Sequence, residues 1–189
     1  MGVDVSEHLL AVASRLPNAH GRFFKADGHR LPFRENSFDA IVCMGVLHHT
    51  LLQRLLPELA RVIVPTGKLV FLEPNKWNPL SALGRLVFPM RTHTPDERPY
   101  GPYALGKSLA AMGWIVTSLE TKFAYTLGLS YLLKKVGARE LSSMIVSAIA
   151  RNEEFLGRAF VGLPLGAIIL GAAKLHDPRI EKSRCAEED

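Results

Sequence analysis

Residues 39–49 read Asp39-Ala40-Ile41-Val42-Cys43-Met44-Gly45-Val46-Leu47-His48-His49. From Ala40 to Met44 every side chain is apolar, whereas a strand with one wet face alternates apolar and polar residues. Such a run predicts a strand over Asp39–Met44, apolar on both faces, in the middle of a parallel sheet covered by helices. Gly45 punctuates its end and a pair of histidines follows. In open parallel sheets ligands lie beyond the carboxyl ends of the strands, so the groups just after Met44 are candidates for chemistry.

The flanks repeat the rhythm. Downstream, Leu51–Ile63 places Leu52, Leu55, Leu56, Leu59, Val62 and Ile63 on one helical stripe. Pro65-Thr66-Gly67 then reads as a turn, and Lys68–Leu72 as a strand that ends in Glu73-Pro74-Asn75. Upstream, Gly2–Asp4 closes a strand, Ser6 can cap a helix over Glu7–Arg15, and Phe23–Ala26 is a second short strand. Beyond residue 100, Tyr103–Met112 is helical and stops at Gly113, Trp114–Glu120 is strand-like, and Ala167–Ala173 is the last strand candidate. This alternation predicts an α/β layer fold with a doubly wound, mostly parallel sheet. Residues 1–176 form one domain in this reading. Stretches 74–102 (proline-rich and aromatic) and 123–160 (helical, near the C-terminus) are insertions that would cover a substrate. The charged segment 177–189 reads as a disordered tail.

The 189 residues carry 23 basic and 18 acidic side chains, a net charge of +5. The basic residues are scattered, with no run interleaved by aromatics, so no nucleic-acid partner is expected. Cys43 and Cys185 read as free thiols of a reducing compartment, and no basic-then-apolar leader is evident, so the expectation is a cytoplasmic protein. Ala159–Ala173 is apolar throughout but shorter than the roughly 18–20 residues a spanning helix needs, and Gly162, Pro164, Gly166 and Gly171 interrupt it. It reads as a buried strand with its approach loop, leaving membrane contact at most peripheral.

Three strand ends carry polar groups. Asp4 can accept both hydroxyl hydrogens of a ribose, or cap the helix that follows. Asp27 can accept from an adenine amino group beside Gly28, or simply close a turn. His48 and His49 invite a metal reading, but adjacent side chains diverge and no third ligand stands at fitting spacing, so no metal is expected. Either histidine could serve as a general base or close the strand end structurally. Glu73 ends the next strand and faces the same crevice.

Taken as a series, G-V-D-V-S (2–6), A-D-G-H-R-L-P-F-R-E-N-S-F-D (26–39), V-L-H-H-T (46–50) and E-L-A-R-V-I-V-P-T-G-K-L-V-F-L-E-P-N (58–75) resembles the class I S-adenosylmethionine-dependent methyltransferases. More narrowly it looks like their small-molecule branch, which includes quinone-biosynthesis enzymes. The resemblance continues weakly through Ala111-Met112-Gly113-Trp114 and from Leu163-Pro164 to Lys174. It implies a Rossmann-like fold and S-adenosylmethionine as cofactor. Asp4 would hold the ribose with Val5 on the adenine, Asp27 and the Gly28 N–H would meet the adenine edge, and Met44 and Gly45 would line the methionine end. His48, His49 and Glu73 would be the base candidates wherever a methyl acceptor must lose a proton. The acceptor would be a small molecule, lipophilic in character, covered by Trp77, Phe88, Tyr100 and Tyr103.

Two departures accompany the resemblance. The family's Pro-Gly-Gly turn is Pro65-Thr66-Gly67 here. Nothing in the 189 residues supplies the first strand and its E/D-x-G-x-G-x-G loop, so the fold is expected to be N-terminally truncated, with apolar sheet edges exposed. A partner chain covering those edges is one expectation. The competing functional readings are a non-catalytic Rossmann-like remnant acting as an interaction module and, with less support, a nicotinamide enzyme.

Overall fold

The computed structural model describes residues 1–17, 21–78, 97–122 and 168–176. Its strands are β1 (Gly2–Asp4), β2 (Phe23–Lys25), β3 (Phe38–Met44), β4 (Ile63–Pro74), β5 (Trp114–Lys122) and β6 (Ile168–Leu175); its helices are α1 (Glu7–Ser14), α2 (Leu52–Val62) and α3 (Pro102–Ala111). The expected helices of 123–160, the tail 177–189 and Phe88 lie outside the described residues.

The strands form two groups, a pair β1-β2 and a four-stranded sheet in the order β3-β4-β6-β5. β1 runs parallel to β2, and β3 parallel to β4, while β6 is antiparallel to both β4 and β5. β3, β4 and β5 therefore point the same way and β6 alone is reversed. The reason is local: Lys122 at the end of β5 pairs with Ile168 at the start of β6, so the chain returns from the end of the sheet at which it left. Gly171 lets β6 lie there, because a Cβ at this position would overlap the ring of Phe71 on the neighbouring strand.

The core lies between the larger sheet and helices α2 and α3. Leu52, Leu55, Leu56, Leu59 and Val62 of α2 are buried with Cys43, Leu69, Phe71, Leu105, Leu109, Trp114 and Ile169. Each buried leucine contributes about 1.5–3 kcal/mol relative to exposure, which offsets the ordering of short strands. The α2 stripe matches its expectation. β3 does not, because Cys43 is buried while Val42 is 64% and Met44 69% exposed. The side of β3 that packs on α2 is covered, and no described element covers the other. Val5 on the far side of β1 is 65% exposed, and no strand among the described residues pairs with the free edge of β1 or of β3. What joins the two groups is an aromatic chain. Phe24 of β2 meets Phe33 edge-on at 5.5 Å, and Phe33 meets Phe38 of β3 at 4.9 Å.

One turn differs from expectation in an informative way. Pro65-Thr66-Gly67 falls within β4, where Phe38 pairs with Ile63 but Ala40 already pairs with Lys68, so these residues bulge out of register. Neither Thr66 nor Gly67 has a positive φ. Gly67 is needed instead for closeness, since a Cβ there would overlap Ile63. Gly113, at φ 81°, does end α3 as its sequence position suggests.

The loop leading to Phe33 is fastened by one ion pair. Glu58 accepts from the Leu31 N–H at 2.7 Å and from Arg61 at 2.7 and 2.9 Å, while Arg61 donates to the Phe33 and Leu31 carbonyls at 2.8 and 3.2 Å. The Arg61 hydrogen bond holds the Glu58 carboxyl below its ordinary value. A lowered folded-state pKa gives stability that is present above the unfolded value and lost as the pH falls through the folded one. Arg61→Ala is therefore expected to lower the urea midpoint of unfolding at pH 7. Part of that difference from the native chain should vanish below about pH 4.5. Burial, and then the nearby Glu73 charge, push the Cys43 thiol up to about 12. Cys43 should accordingly resist a thiol-specific reagent in the native protein and react once the chain is unfolded.

Candidate functional site

At the end of β3 the chain leaves the sheet through Gly45, whose φ of 64° suits a residue without Cβ and whose N–H donates to the Leu72 carbonyl at 2.7 Å. A single 3₁₀ turn, Leu47–His49, follows. The first N–H groups of such a turn have no partner within it. Glu73, fully buried at the end of β4, supplies one. Its Oε1 accepts from the N–H groups of Val46 at 2.9 Å and Leu47 at 2.8 Å, and its Oε2 from the His48 N–H at 3.2 Å. The same Oε2 lies 2.6 Å from His48 Nδ1. A carboxylate surrounded by donors is an acceptor only, so this network assigns the proton of neutral His48 to Nδ1 and leaves a lone pair on Nε2.

The turn also alters the expectation for the two histidines. Their rings do not diverge: the centroids are 3.9 Å apart with planes inclined by 40°. A third group stands beside them, since Glu97 Oε1 is 4.0 Å from His49 Nε2. The strand-like segment carrying Glu97 is docked by the Arg98 N–H, which donates to the His48 carbonyl at 2.8 Å. Glu97 was not singled out in the sequence, because an acid in a proline-rich loop has neither periodicity nor a motif to mark it.

The residues assigned to the other strand ends are arranged as follows. Asp4 Oδ1 accepts the Ser6 N–H at 2.7 Å, while Ser6 Oγ caps α1 through the Leu9 N–H at 3.3 Å. Oδ2 of Asp4 makes no hydrogen bond among the described residues. Asp27 Oδ1 accepts from the N–H and Nδ1 of His29 at 2.9 and 2.7 Å, and the His29 backbone bond is the first cause of a lowered Asp27 pKa. Nε2 of the same ring accepts the Leu51 N–H at 3.3 Å, which ties the Asp27 turn to the start of α2. Both aspartates therefore support local turns and retain acceptor capacity, Asp27 with a side chain 64% exposed. Gly28 sits against α2, where a Cβ would be 3.0 Å from Leu55. Val5 and Met44 present exposed apolar side chains beside these groups.

The expected covers separate. Trp77 is half exposed and stacks over Gly101, where a Cβ would strike its ring. Tyr100 packs against the core. Tyr103 lines a separate opening: with Lys107, Trp114 and His176 it borders a cavity of about 630 Å³ along α3 and β5.

Residues 1–71 match the family described as a methyltransferase domain. The chain is 39% identical over 77 residues to the demethylmenaquinone methyltransferase of Thermus thermophilus, a match covering 39% of this chain and 35% of that protein. It is 46% identical over 48 residues to the human probable tRNA methyltransferase 9B, covering 23% and 11%. The chain thus spans about a third or less of the length of these relatives. Among solved structures it is similar to a SAM-dependent methyltransferase of Thermotoga maritima, described as a possible histamine N-methyltransferase. The TM-score is 0.63 at 15% identity, over 93% of this chain and 72% of that one. S-adenosylmethionine is the cofactor named for this fold. Residues 1–71 thus resemble a methyltransferase domain, and the fold is similar to that of the Thermotoga maritima SAM-dependent methyltransferase.

Proposed function

We propose that the chain binds S-adenosylmethionine across the ends of β1, β2 and β3 and serves methyl transfer to a small lipophilic acceptor in the cytoplasm. The observation that carries this reading is the arrangement of unspent groups at three successive strand ends: Asp4 Oδ2, the exposed Asp27 carboxylate with Gly28, and the left-handed Gly45 beside Met44. These fit a ribose, an adenine edge and a thioether end in that order. Val5 supplies the apolar surface on which the adenine packs. The cofactor would bring a methyl group bonded to a positively charged sulfur, already activated toward displacement.

The remaining work falls to the protein. Much of the acceleration of such a transfer comes from holding the acceptor about 3–3.5 Å from the methyl in line with the bond that breaks. Where the acceptor must also lose a proton, His48 Nε2 is the base and Glu73, on Nδ1, is its positioning residue. His49 lines the same opening. A quinone-type acceptor is favoured by the demethylmenaquinone relative and by the exposed apolar Trp77 and Met44. The scattered positive charge favours a small molecule over nucleic acid.

The open edges of β1 and β3 support a second reading, a non-catalytic module to which a partner chain adds a strand. Calorimetric titration with S-adenosylmethionine separates the two. The enzyme reading expects saturable heat, weakened about tenfold or more in Asp4→Asn, which keeps an acceptor for the Ser6 N–H but loses the charge. No heat and no thermal shift at about millimolar cofactor would remove that reading for this chain. With demethylmenaquinone as acceptor, release of S-adenosylhomocysteine should fall in Glu73→Gln mainly through kcat. The same variant should lose about 1–3 kcal/mol of stability, because an amide cannot accept from all the donors that Glu73 satisfies.

A further inference from the structure

We propose that His48, His49 and Glu97 form a binding site for one divalent transition-metal ion of the Zn²⁺ class, with an open position toward the crevice. One ligand atom from each of the three residues lies within 4.8 Å of the other two. Donors bound tetrahedrally to one zinc at about 2.0–2.2 Å stand about 3.3–3.6 Å apart, so closure of about an ångström completes the set. His49 can supply it, since its side chain is 40% exposed and its Nε2 already faces Glu97 Oε1 at 4.0 Å. That separation is too long for a hydrogen bond and lies about half an ångström above that of two ligands of one tetrahedral ion.

The stronger argument is the support behind the ligands. Histidines that bind metals donate their second ring N–H to a carboxylate or carbonyl, which fixes the tautomer and raises the basicity of the ligating nitrogen. His48 has this arrangement: Nδ1 is held by the buried Glu73 at 2.6 Å, and Nε2 is left as the donor atom. The turn is fixed on both sides, by Glu73 on three backbone N–H groups and by Arg98 on the His48 carbonyl. Two imidazoles and one carboxylate suit Zn²⁺, Co²⁺ or Ni²⁺, whereas Mg²⁺ and Ca²⁺ prefer oxygen ligands throughout. Three protein ligands leave a fourth position open. A metal on Nε2 takes the lone pair that the base role would use, so the two roles of His48 are alternatives.

The site does not rest on the cofactor reading, and it is tested without cofactor. Chelator-treated protein is titrated with Co²⁺, following ligand-field absorption, and then with competing Zn²⁺. One equivalent should bind, with the intense bands of low-coordinate Co²⁺. His49→Ala and Glu97→Gln should each weaken binding about tenfold or more, and Glu73→Gln by about 10–100-fold as an outer-shell change. His8→Ala, on exposed α1, should leave affinity unchanged. Circular dichroism of both variants verifies that they are folded. Absence of Co²⁺ uptake at about 100 µM, or uptake equal in native protein, His49→Ala and Glu97→Gln, overturns the proposal. Loss of S-adenosylmethionine binding with Co²⁺ binding intact would count against the cofactor reading alone.

Discussion

The arrangement at the top of the sheet depends on a single buried carboxylate. Glu73 is fully enclosed, a position that is costly for a charge unless it is hydrogen-bonded on every side. Three backbone N–H groups and one imidazole meet that requirement. In return the carboxylate orders the exit of β3, sets the His48 tautomer and holds the two rings against each other. The neighbouring Cys43 records the same environment, its thiol raised by burial and by the Glu73 charge. Strand order places Glu73 there: β4 is the parallel neighbour of β3, so both carboxyl ends reach the same height in the sheet.

Much of this was legible in the residues themselves. The α2 stripe, the β3 run, the Ser6 cap and the Gly113 stop all follow from local chemistry, and the structure repeats them within a residue or two, whereas β4 begins at Ile63 rather than Lys68. Glu73 could be assigned to the crevice because it ends a strand. Its function as a clamp could not, since the partners are backbone groups 25–27 residues away. The same limit explains the histidine rings. Divergence is a sound rule for neighbours in extended chain, and the 3₁₀ turn that defeats it exists only because Glu73 satisfies its N–H groups. Pro65-Thr66-Gly67 reads as a turn by composition, but register with β3 turns it into a bulge. The exposed face of Val42 and Met44 was misjudged for a different reason. An apolar run shows that a strand can be covered on both sides, not which elements lie over it.

Asp4 and Asp27 show how one residue can carry a structural and a binding assignment together. Each spends one oxygen on its own turn, which fixes the direction of the other. A local hydrogen bond is therefore no argument against a ligand at these positions. It is a means of holding the side chain ready, and it lowers the entropy lost when a ligand is met.

The aromatic chain Phe24–Phe33–Phe38 has a consequence for how the molecule opens. With β1-β2 unpaired to the larger sheet, the edge-on rings, the Glu58–Arg61 clamp and the His29–Leu51 bond connect the halves. Small units with few buried contacts open at lower free energy than the body to which they are attached. The Asp4–Asp27 half can thus undock while the β3–β6 sheet stays folded. A ligand that touches both halves would then act as a tie, gaining apparent affinity when Phe33 is well packed and losing it when that ring is disturbed from a distance.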